Sequence, residues 1–244
     1  MHGKVFLAGA TGAIGRRVVP LLLDARYEVF GTTRSEAKAA ALQAAGVKPI
    51  VVDMFDAPAL SQAMAAVRPE IVIHQLTDLP AGLDPSRMTE GIARTGRIRT
   101  EGTRNLVAAA LEAGARRLIA QSLACWVYAP GSQPYSENDP LDLRAEATDP
   151  IVVEGIVTLE RLNTTSPLLE GIVLRYGQIY GPGTGYDAPT GSAPLHVDAA
   201  AQAALLAIER AKPGIFNIAE DTGFLSIAKA RRELGWDPGF RLGD

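Results

Sequence analysis

The sequence predicts an α/β fold in which a parallel sheet carries helices on both faces. Short apolar runs alternate with helical patterns along the 244 residues, and this alternation favours parallel strands joined by crossover helices. The first apolar run, residues 5–8, leads into glycines spaced G-x-x-G-x-x-G at Gly9, Gly12 and Gly15, and a helical pattern follows at once. A strand, a glycine turn and a helix start in this order indicate a Rossmann-type, doubly wound sheet.

The remaining elements follow from the period of the apolar residues. Short apolar runs predict seven further strands, at residues 27–31, 48–53, 70–74, 117–121, 170–175, 195–197 and 214–218. Helical patterns predict helices after Gly15, in the alanine-rich stretch ending near residue 46, and over 57–67, 88–113, 151–165 and 226–234. Asp198 is placed to cap a further helix that runs through Arg210. Residues 78–85, 129–150 and 181–185 are predicted to be loops or turns.

Composition favours one large domain and argues against several classes of partner. Hydrophobic residues make up 47% of the chain, enough for a large core. The net charge is −3 and no basic run occurs, so neither nucleic acid nor a membrane surface is implied. No apolar run approaches the length of a membrane-spanning helix, and the first residues lack the pattern of a signal peptide. With Cys125 as its single cysteine, the chain fits a reducing compartment, and we expect it to be cytoplasmic.

The glycine turn is the predicted binding site. Glycine accepts positive φ and lets a ligand approach the backbone, while the N–H groups at the start of a helix attract a diphosphate. In an open parallel sheet, the ligand lies beyond the carboxyl ends of the strands. The residues just after each strand are therefore candidate site residues.

Several further motifs accompany the glycine turn. Asp53 follows the third strand, Gly102-Thr103-Arg104-Asn105-Leu106 lies in the long helix, and Leu234-Gly235-Trp236-Asp237-Pro238 lies near the end of the sequence. With these motifs the chain resembles the extended and atypical short-chain dehydrogenase/reductases, the NAD-dependent epimerase/dehydratase group, over nearly its whole length. The resemblance implies one NAD(P)-binding domain over residues 1–244, in which 176–198 and 219–244 form a shortened substrate-side lobe. Because that lobe is short, we expect a small-molecule substrate.

The residues after the second strand favour NADP over NAD. An acidic residue there would bind the ribose of NAD, but none occurs between Phe30 and Ser35, and Arg34 stands beside hydroxyl side chains. A guanidinium pairs well with a 2′-phosphate; the alternative is that Arg34 is a solvated surface charge. The resemblance adds residues after the third and fourth strands to the site, although Asp53 would also suit a plain turn. The predicted cofactor-binding residues are Gly9, Thr11, Gly12, Ala13, Ile14, Gly15, Thr33, Arg34, Asp53, Met54, Gln75 and Leu76.

The usual catalytic residues of the family are missing. The family uses a tyrosine and a lysine spaced Y-x-x-x-K on one helix, with a serine or threonine nearby, but no lysine occurs between Lys48 and Lys212. If Glu160 matches the family's glutamate, Val152 and Ile156 occupy the tyrosine and lysine positions, and Ala124 occupies the serine position.

Other side chains are therefore candidates for proton transfer. The candidates are Tyr128, Tyr176 and Ser122, with His74 a weaker one. We expect the ring of Tyr176 to face the nicotinamide. The alternative for both tyrosines is a packing role with a hydrogen-bonded hydroxyl, and for His74 a structural one. The histidines and Cys125 show no metal-ligand spacing, and Cys125 is expected to be buried and unreactive.

Two functions remain open at this point. The first is an oxidoreductase or epimerase-like enzyme that acts on a small carbonyl or sugar-like substrate with a non-standard proton donor. The second is a catalytically silent NADP(H)-binding sensor or scaffold; a module that has lost its cofactor is a weaker alternative. By the resemblance, we expect a homodimer that pairs through the long helix and the helix containing Glu160.

Overall fold

A computed structural model describes residues 3–144 and 149–243, so four residues of the predicted loop 129–150 lie outside the described residues. The main sheet contains β1 Lys4–Ala8, β2 Glu28–Thr33, β3 Lys48–Val51, β4 Ile71–His74, β5 Arg117–Leu123, β6 Glu170–Tyr176 and β9 Gly214–Ile218. Its strands pair in parallel in the order β3-β2-β1-β4-β5-β6-β9. Two short strands, β7 Gln178–Tyr180 and β8 Pro194–His196, form a separate parallel pair. The predicted doubly wound sheet is confirmed.

Helices cover both faces of this sheet. They are α1 Ala13–Asp24, α2 Glu36–Ala44, α3 Ala57–Val67, α4 Met88–Arg97, α5 Thr103–Glu112, α6 Pro150–Thr164, α7 Val197–Arg210 and α8 Ala228–Leu234. α1 packs on α7, whereas α3 packs on α5, and α5 on α6. Within the described residues, no helix is long and apolar enough to cross a bilayer.

The strand β1 shows how the core forms on both faces. Successive side chains of a strand point to opposite faces. Val5 and Leu7 join the cluster under α1 and α7, and Phe6 joins the cluster under α3 and α5. All three are fully buried. A strand covered on both faces reads as a continuous apolar run, as this one does.

The strand order places a crevice beside the glycine turn. From β1 the sheet continues to β2 and β3 on one side, and to β4, β5 and β6 on the other. The loops after β1 and β4 therefore leave in opposite directions at the carboxyl edge. A ligand of such a sheet binds between them.

The long helix predicted over 88–113 is interrupted. α4 and α5 are joined by a π-helical segment, Ile98–Gly102. The apolar side chains on both sides of the interruption remain buried, namely Ile98, Leu106 and Val107. The spacing of apolar residues therefore did not predict a break in the helix. Such π segments often occur at functional sites.

The prediction that Asp198 caps α7 is wrong. His196, in extended conformation, is the cap, and its Nδ1 accepts the backbone N–H of Asp198 at 3.2 Å. Val197 is already helical, so Asp198 lies inside the first turn. Its carboxylate forms an ion pair with Arg17 of α1 at 3.4 Å. The last helix also begins two residues later than predicted, at Ala228.

Candidate functional site

The turn between β1 and α1 is built around glycine. Gly9 has a φ of +95°, and a Cβ there would come within 2.8 Å of the carbonyl oxygen of Gln75. A Cβ on Gly15 would collide with the carbonyl oxygen of Gly9. Gly12 is the N-cap of α1 and makes no side-chain hydrogen bond to the first turn of the helix. This turn offers backbone N–H groups and a helix N-terminus to an anion.

A cavity of about 1090 Å³ opens along the carboxyl edge of the sheet, from this turn to the loop after β6. This volume lies just above the range of about 300–1000 Å³ for ligand sites, which suits a dinucleotide and a small second molecule. Of the predicted cofactor-binding residues, Gly15 alone lies outside the lining and supports the turn from beneath. The others line the cavity: Gly9, Thr11, Gly12, Ala13, Ile14, Thr33, Arg34, Asp53, Met54, Gln75 and Leu76.

Arg34 lies at the mouth of this cavity and has an acidic partner. Its guanidinium forms an ion pair with Asp78 at 3.1 Å, across from the loop after β4. Arg94 of α4 pairs with the same carboxylate at 3.1 Å. The hydroxyl of Thr33 accepts the backbone N–H of Ser35 at 3.1 Å and holds the turn that carries Arg34.

The loop after β3 is fixed from the side of the long helix. Asn105 donates to the carbonyl oxygen of Met54 at 3.0 Å, and a Cβ on Gly102 would press on the sulfur of Met54. Asp53 accepts the backbone N–H of Phe55 at 2.9 Å, so its carboxylate also forms the turn. Part of the Gly102–Leu106 motif thus positions this wall of the cavity.

Two glutamine side chains in the cavity wall have unmet acceptors. Gln75 is 5% exposed and donates to the hydroxyl of Tyr176 at 3.4 Å. Within the described residues, Oε1 of Gln75 and Oε1 of Gln178 are buried and accept no hydrogen bond. An unpaired buried acceptor costs free energy, so both atoms are suited to a ligand's donors.

The three predicted catalytic residues lie behind the cavity wall, and none is among the lining residues. The hydroxyl of Ser122 donates to Glu160 at 2.8 Å, and that of Tyr128 donates to Asn217 at 2.6 Å. Burial raises the pKa of Tyr128, and the nearby guanidinium of Arg175 opposes this shift. Both hydroxyls thus belong to a buried polar network.

Tyr176 is also part of the core. It is fully buried, and its hydroxyl donates to the carbonyl oxygen of Ala200 in α7 at 3.0 Å. Burial raises its pKa far above the ordinary range. Its contacts are those of a packing residue with a bonded hydroxyl, the alternative that the sequence left open.

The face of α6 has apolar side chains at the two positions that a match of Glu160 to the family's glutamate would give to the tyrosine and the lysine. Val152 lines the cavity, and Ile156, one turn further on, is 1% exposed. Glu160, on the next turn, is bonded by Arg175 through Nε at 2.8 Å and Nη2 at 2.7 Å. The wall at this point therefore contains no tyrosine and no lysine.

His74 and Cys125 have structural environments. Burial, and then the charge of Arg99, lower the pKa of His74 to about 4. Its Nε2 lies 3.1 Å from the hydroxyl of Thr103, and its Nδ1 accepts the N–H of Leu76. Cys125 is buried as predicted, and burial raises its pKa to about 12.

Sequence reasoning missed several polar residues of the lining, among them Gln121, Gln178 and Arg99. Gln121 ends the predicted fifth strand, so attention to strand ends would have found it. Gln178 belongs to the short strand β7, which the sequence analysis did not predict. Arg99 lies in the π segment, and no motif marks it. Residues 177–179 and 183–186 of the predicted substrate-side lobe also line the cavity.

Comparisons with known proteins agree with this geometry. The sequence profile of a family described as NAD(P)H-binding matches residues 9–149. A "3-diazoavenalumate denitrifying reductase" of Streptomyces sp is 39% identical over 240 residues, which cover 89% of this chain and 76% of that protein.

Solved structures share the fold at lower identity. A UDP-glucose 4-epimerase of Thermotoga maritima has a TM-score of 0.77 at 20% identity, covering 98% of this chain and 94% of its own. WbmG of Bordetella bronchiseptica, solved with NAD, has a TM-score of 0.75 at 17% identity, covering 99% and 91%. The family match and the glycine turn together show that the chain belongs to the NAD(P)H-binding family. Its fold is that of the epimerases and dehydratases among the extended short-chain dehydrogenase/reductases.

Proposed function

We propose that this protein is an NADP(H)-dependent reductase that delivers hydride to a small electrophile without a tyrosine acid. The observation that carries the proposal is the wall at Val152, where the family would present its tyrosine and this chain presents an apolar side chain. Tyr128, Tyr176 and Ser122 are held in buried hydrogen bonds behind the wall, so we assign them structural rather than proton-transfer roles.

The residues of the cavity fit a nicotinamide dinucleotide. The glycine turn and the start of α1 would hold the diphosphate, because Gly9 and Gly12 carry no side chain and the helix start attracts an anion. Arg34, with Thr33 beside it, would bind the 2′-phosphate, which is why we propose NADP rather than NAD. When bound, the reduced cofactor supplies a hydride.

The missing acid restricts the choice of acceptor. Reduction of a carbonyl creates an alkoxide that must take up a proton, whereas a cationic acceptor is neutralised by the hydride itself. The Streptomyces relative is named for a diazo compound and for denitrifying reduction. We therefore propose an aryl diazonium group as the acceptor in this chain.

The proposed reaction balances without a proton. The aryl carbon–nitrogen bond breaks, a carbon–hydrogen bond forms with the hydride, and dinitrogen leaves. The positive charge lost from the diazonium group reappears on the oxidised nicotinamide, so the total charge is conserved. Apolar walls at Leu123, Val152 and Ile179 would keep out water, which competes for the same carbon.

The test is hydride transfer to 4-diazobenzoate. With NADPH carrying deuterium at the reacting carbon, we expect enzyme-dependent release of dinitrogen and one deuterium at the former carbon–nitrogen position of the product. Gly12→Val is the matched control. Gly12 has a φ of −73°, and a Cβ there meets only Gly9 at 3.4 Å, so the variant should fold but fill the diphosphate cradle. Equal rates for both proteins, or product without the label, would refute the proposal.

A second candidate is a silent NADP(H)-binding sensor or scaffold, and the missing tyrosine and lysine favour it. It predicts tight NADPH binding together with no turnover of diazonium, carbonyl or quinone substrates. We further propose that the protein is cytoplasmic, given its one buried thiol, and that two copies pair through α4, α5 and α6, as the family resemblance suggests.

A further inference from the structure

We propose that Arg99 forms an anion subsite in the cavity and binds a carboxylate group of the substrate. This subsite rests on the proposed reductase function, because it places the acceptor at the cofactor. Nothing in the comparisons assigns a role to this residue.

Arg99 is a buried cation that faces the cavity. The residue is 5% exposed and lines the cavity from the π segment between α4 and α5. Among the residues that the structure describes, its guanidinium makes neither a hydrogen bond nor an ion pair. The side chain is thus largely desolvated by the protein but open to the cavity, where a ligand's anion can supply the partner that the protein does not.

The carboxylate that attracts Arg99 electrostatically is already bonded to other side chains. Glu160 attracts Arg99 electrostatically, but both of its oxygens are bonded to Arg175, and one also accepts from Ser122. Burial lowers the pKa of Arg99 to about 10, so it stays protonated at neutral pH. The neighbouring His74 has a pKa of about 4 and is neutral there. Two guanidinium groups thus share one carboxylate, and one positive charge is left over.

Local packing directs the Arg99 side chain toward the cavity. A Cβ on Gly155 of α6 would lie 3.2 Å from Cβ and 3.3 Å from Cδ of Arg99, so the stem runs closely along the helix at this glycine. Val152, which lines the cavity, lies one turn earlier on the same helix. Any larger residue at 155 would crowd the stem.

A substrate carboxylate fits this position better than the cofactor's diphosphate. The diphosphate would bind at the turn after β1. Arg99 lies elsewhere in the cavity, because it packs against α6, and α6 packs on β5. Gln121, in the carboxyl-terminal half of β5, also lines the cavity and adds an amide donor. A planar guanidinium matches a carboxylate in bidentate geometry.

The test compares an acid with its neutral amide. Binding of 4-hydroxycinnamate and 4-hydroxycinnamamide to the NADP⁺-loaded protein is measured by calorimetry for the wild type, Arg99→Met and Arg104→Met. We expect the wild type to prefer the acid by about 10- to 100-fold, as charge-assisted bonds imply. Arg99→Met should lose this preference while its affinity for NADP⁺ stays within about twofold. Arg104, an exposed residue of α5 outside the lining, is the matched control and should keep the preference.

Two results would overturn the subsite. An unchanged acid-to-amide ratio in Arg99→Met would show that Arg99 does not bind the carboxylate. A large loss of NADP⁺ affinity with the ratio intact would assign Arg99 to the cofactor. Misfolding is checked by thermal melting, and we expect Arg99→Met to melt no lower than the wild type, because a buried unpaired charge is removed.

The proposed function is judged separately, from wild-type turnover of 4-methylbenzenediazonium, a probe that carries the diazonium group but no carboxylate. Turnover of this probe without an acid preference refutes only the subsite. An acid preference without any turnover refutes only the reductase.

Discussion

Arg34 is held by an ion pair that a phosphate can replace. Its side chain is 58% exposed, and exposed pairs such as Arg34–Asp78 contribute only about 0–1 kcal/mol. A 2′-phosphate offers more charge and a bidentate partner. Asp78 would keep Arg94 as its partner when Arg34 turns to the cofactor.

Substitution of Arg34 should therefore separate the two cofactors. In Arg34→Met, we expect NADPH affinity to fall by about 10- to 100-fold, since bonds to charged groups are worth about 1.5–3 kcal/mol. NADH affinity should stay within about twofold. Fluorescence titration measures both, with Arg116→Met as an exposed arginine control. An equal loss of affinity for NADPH and NADH would show that Arg34 does not bind the 2′-phosphate.

Individual residues differ in how well the sequence predicts them. Those of the glycine turn are fixed by backbone geometry, which leaves a local pattern in the sequence. Arg99 is fixed by the π segment and by Gly155 from a distant helix, and neither leaves a local sign. The positions of Tyr128 and Tyr176 depend on Asn217 and Ala200, far along the chain.

At the scale of elements, a histidine connects β4 to the long helix. Nδ1 of His74 accepts the N–H of Leu76, so Nε2 carries the proton and donates to Thr103, whose hydroxyl donates to the carbonyl oxygen of Ile98 at 3.3 Å. All of these hydrogen bonds can form together only when the imidazole is neutral. Protonation would direct a second N–H at the N–H of Leu76.

This connection should make stability depend on pH. The folded pKa of about 4 lies below the ordinary value of 6.5, so the unfolded chain binds the proton first as pH falls. The stabilisation is present above pH 6.5 and is lost as pH falls toward 4. The loss attributable to His74 between pH 7 and pH 5 is about 2 kcal/mol.

Urea unfolding at the two pH values measures this dependence. His74→Gln removes the titration, so its free energy of unfolding should fall by about 2 kcal/mol less than that of the wild type between pH 7 and pH 5. A decrease of the same size in both proteins would mean that another group titrates.

Most helices and strands could be predicted because apolar residues recur within each of them at the spacing typical of that structure. The strands of the main sheet and their flanking helices depend on short-range patterns that tertiary packing did not override. The π segment and the cap of α7 depend on single residues at a junction. At His196, an imidazole replaces the expected carboxylate as acceptor, a substitution that cap preferences do not anticipate.

At the scale of the whole molecule, the outer face of α6 bears on assembly. Ile151 is 44% exposed, and Val157 and Leu162 are partly exposed on the same helix. Apolar side chains that remain open on a helix are suited to a second copy. This face is the one through which the resemblance predicts pairing.

Sedimentation should detect a species of twice the 25.8 kDa chain mass. Val157→Glu should shift it to the monomer, because pairing about a twofold axis would bury the new charge next to its own copy. Gln43→Glu, an equal change of charge on the exposed side of α2, is the control. A monomer at all concentrations of the wild type would remove the dimer from consideration.

The cavity as a whole could be predicted only in part. Its cofactor half follows from the order of the strands and the first turn, which the sequence specifies. Its other half is assembled from the π segment, the ends of β5 and β6 and the start of α6, which meet only in the folded chain. Substrate chemistry is decided in that second half.

The burial of Ile156 has a consequence for any attempt to redesign this protein. A lysine at that position would have to place its ammonium in a packed core, near Arg175 and with Glu160 already engaged. Tyrosine at 152 and lysine at 156 would therefore not by themselves install a proton relay in this chain. An engineer who wanted that relay would have to repack the core around residue 156 and release Glu160 from Arg175 as well.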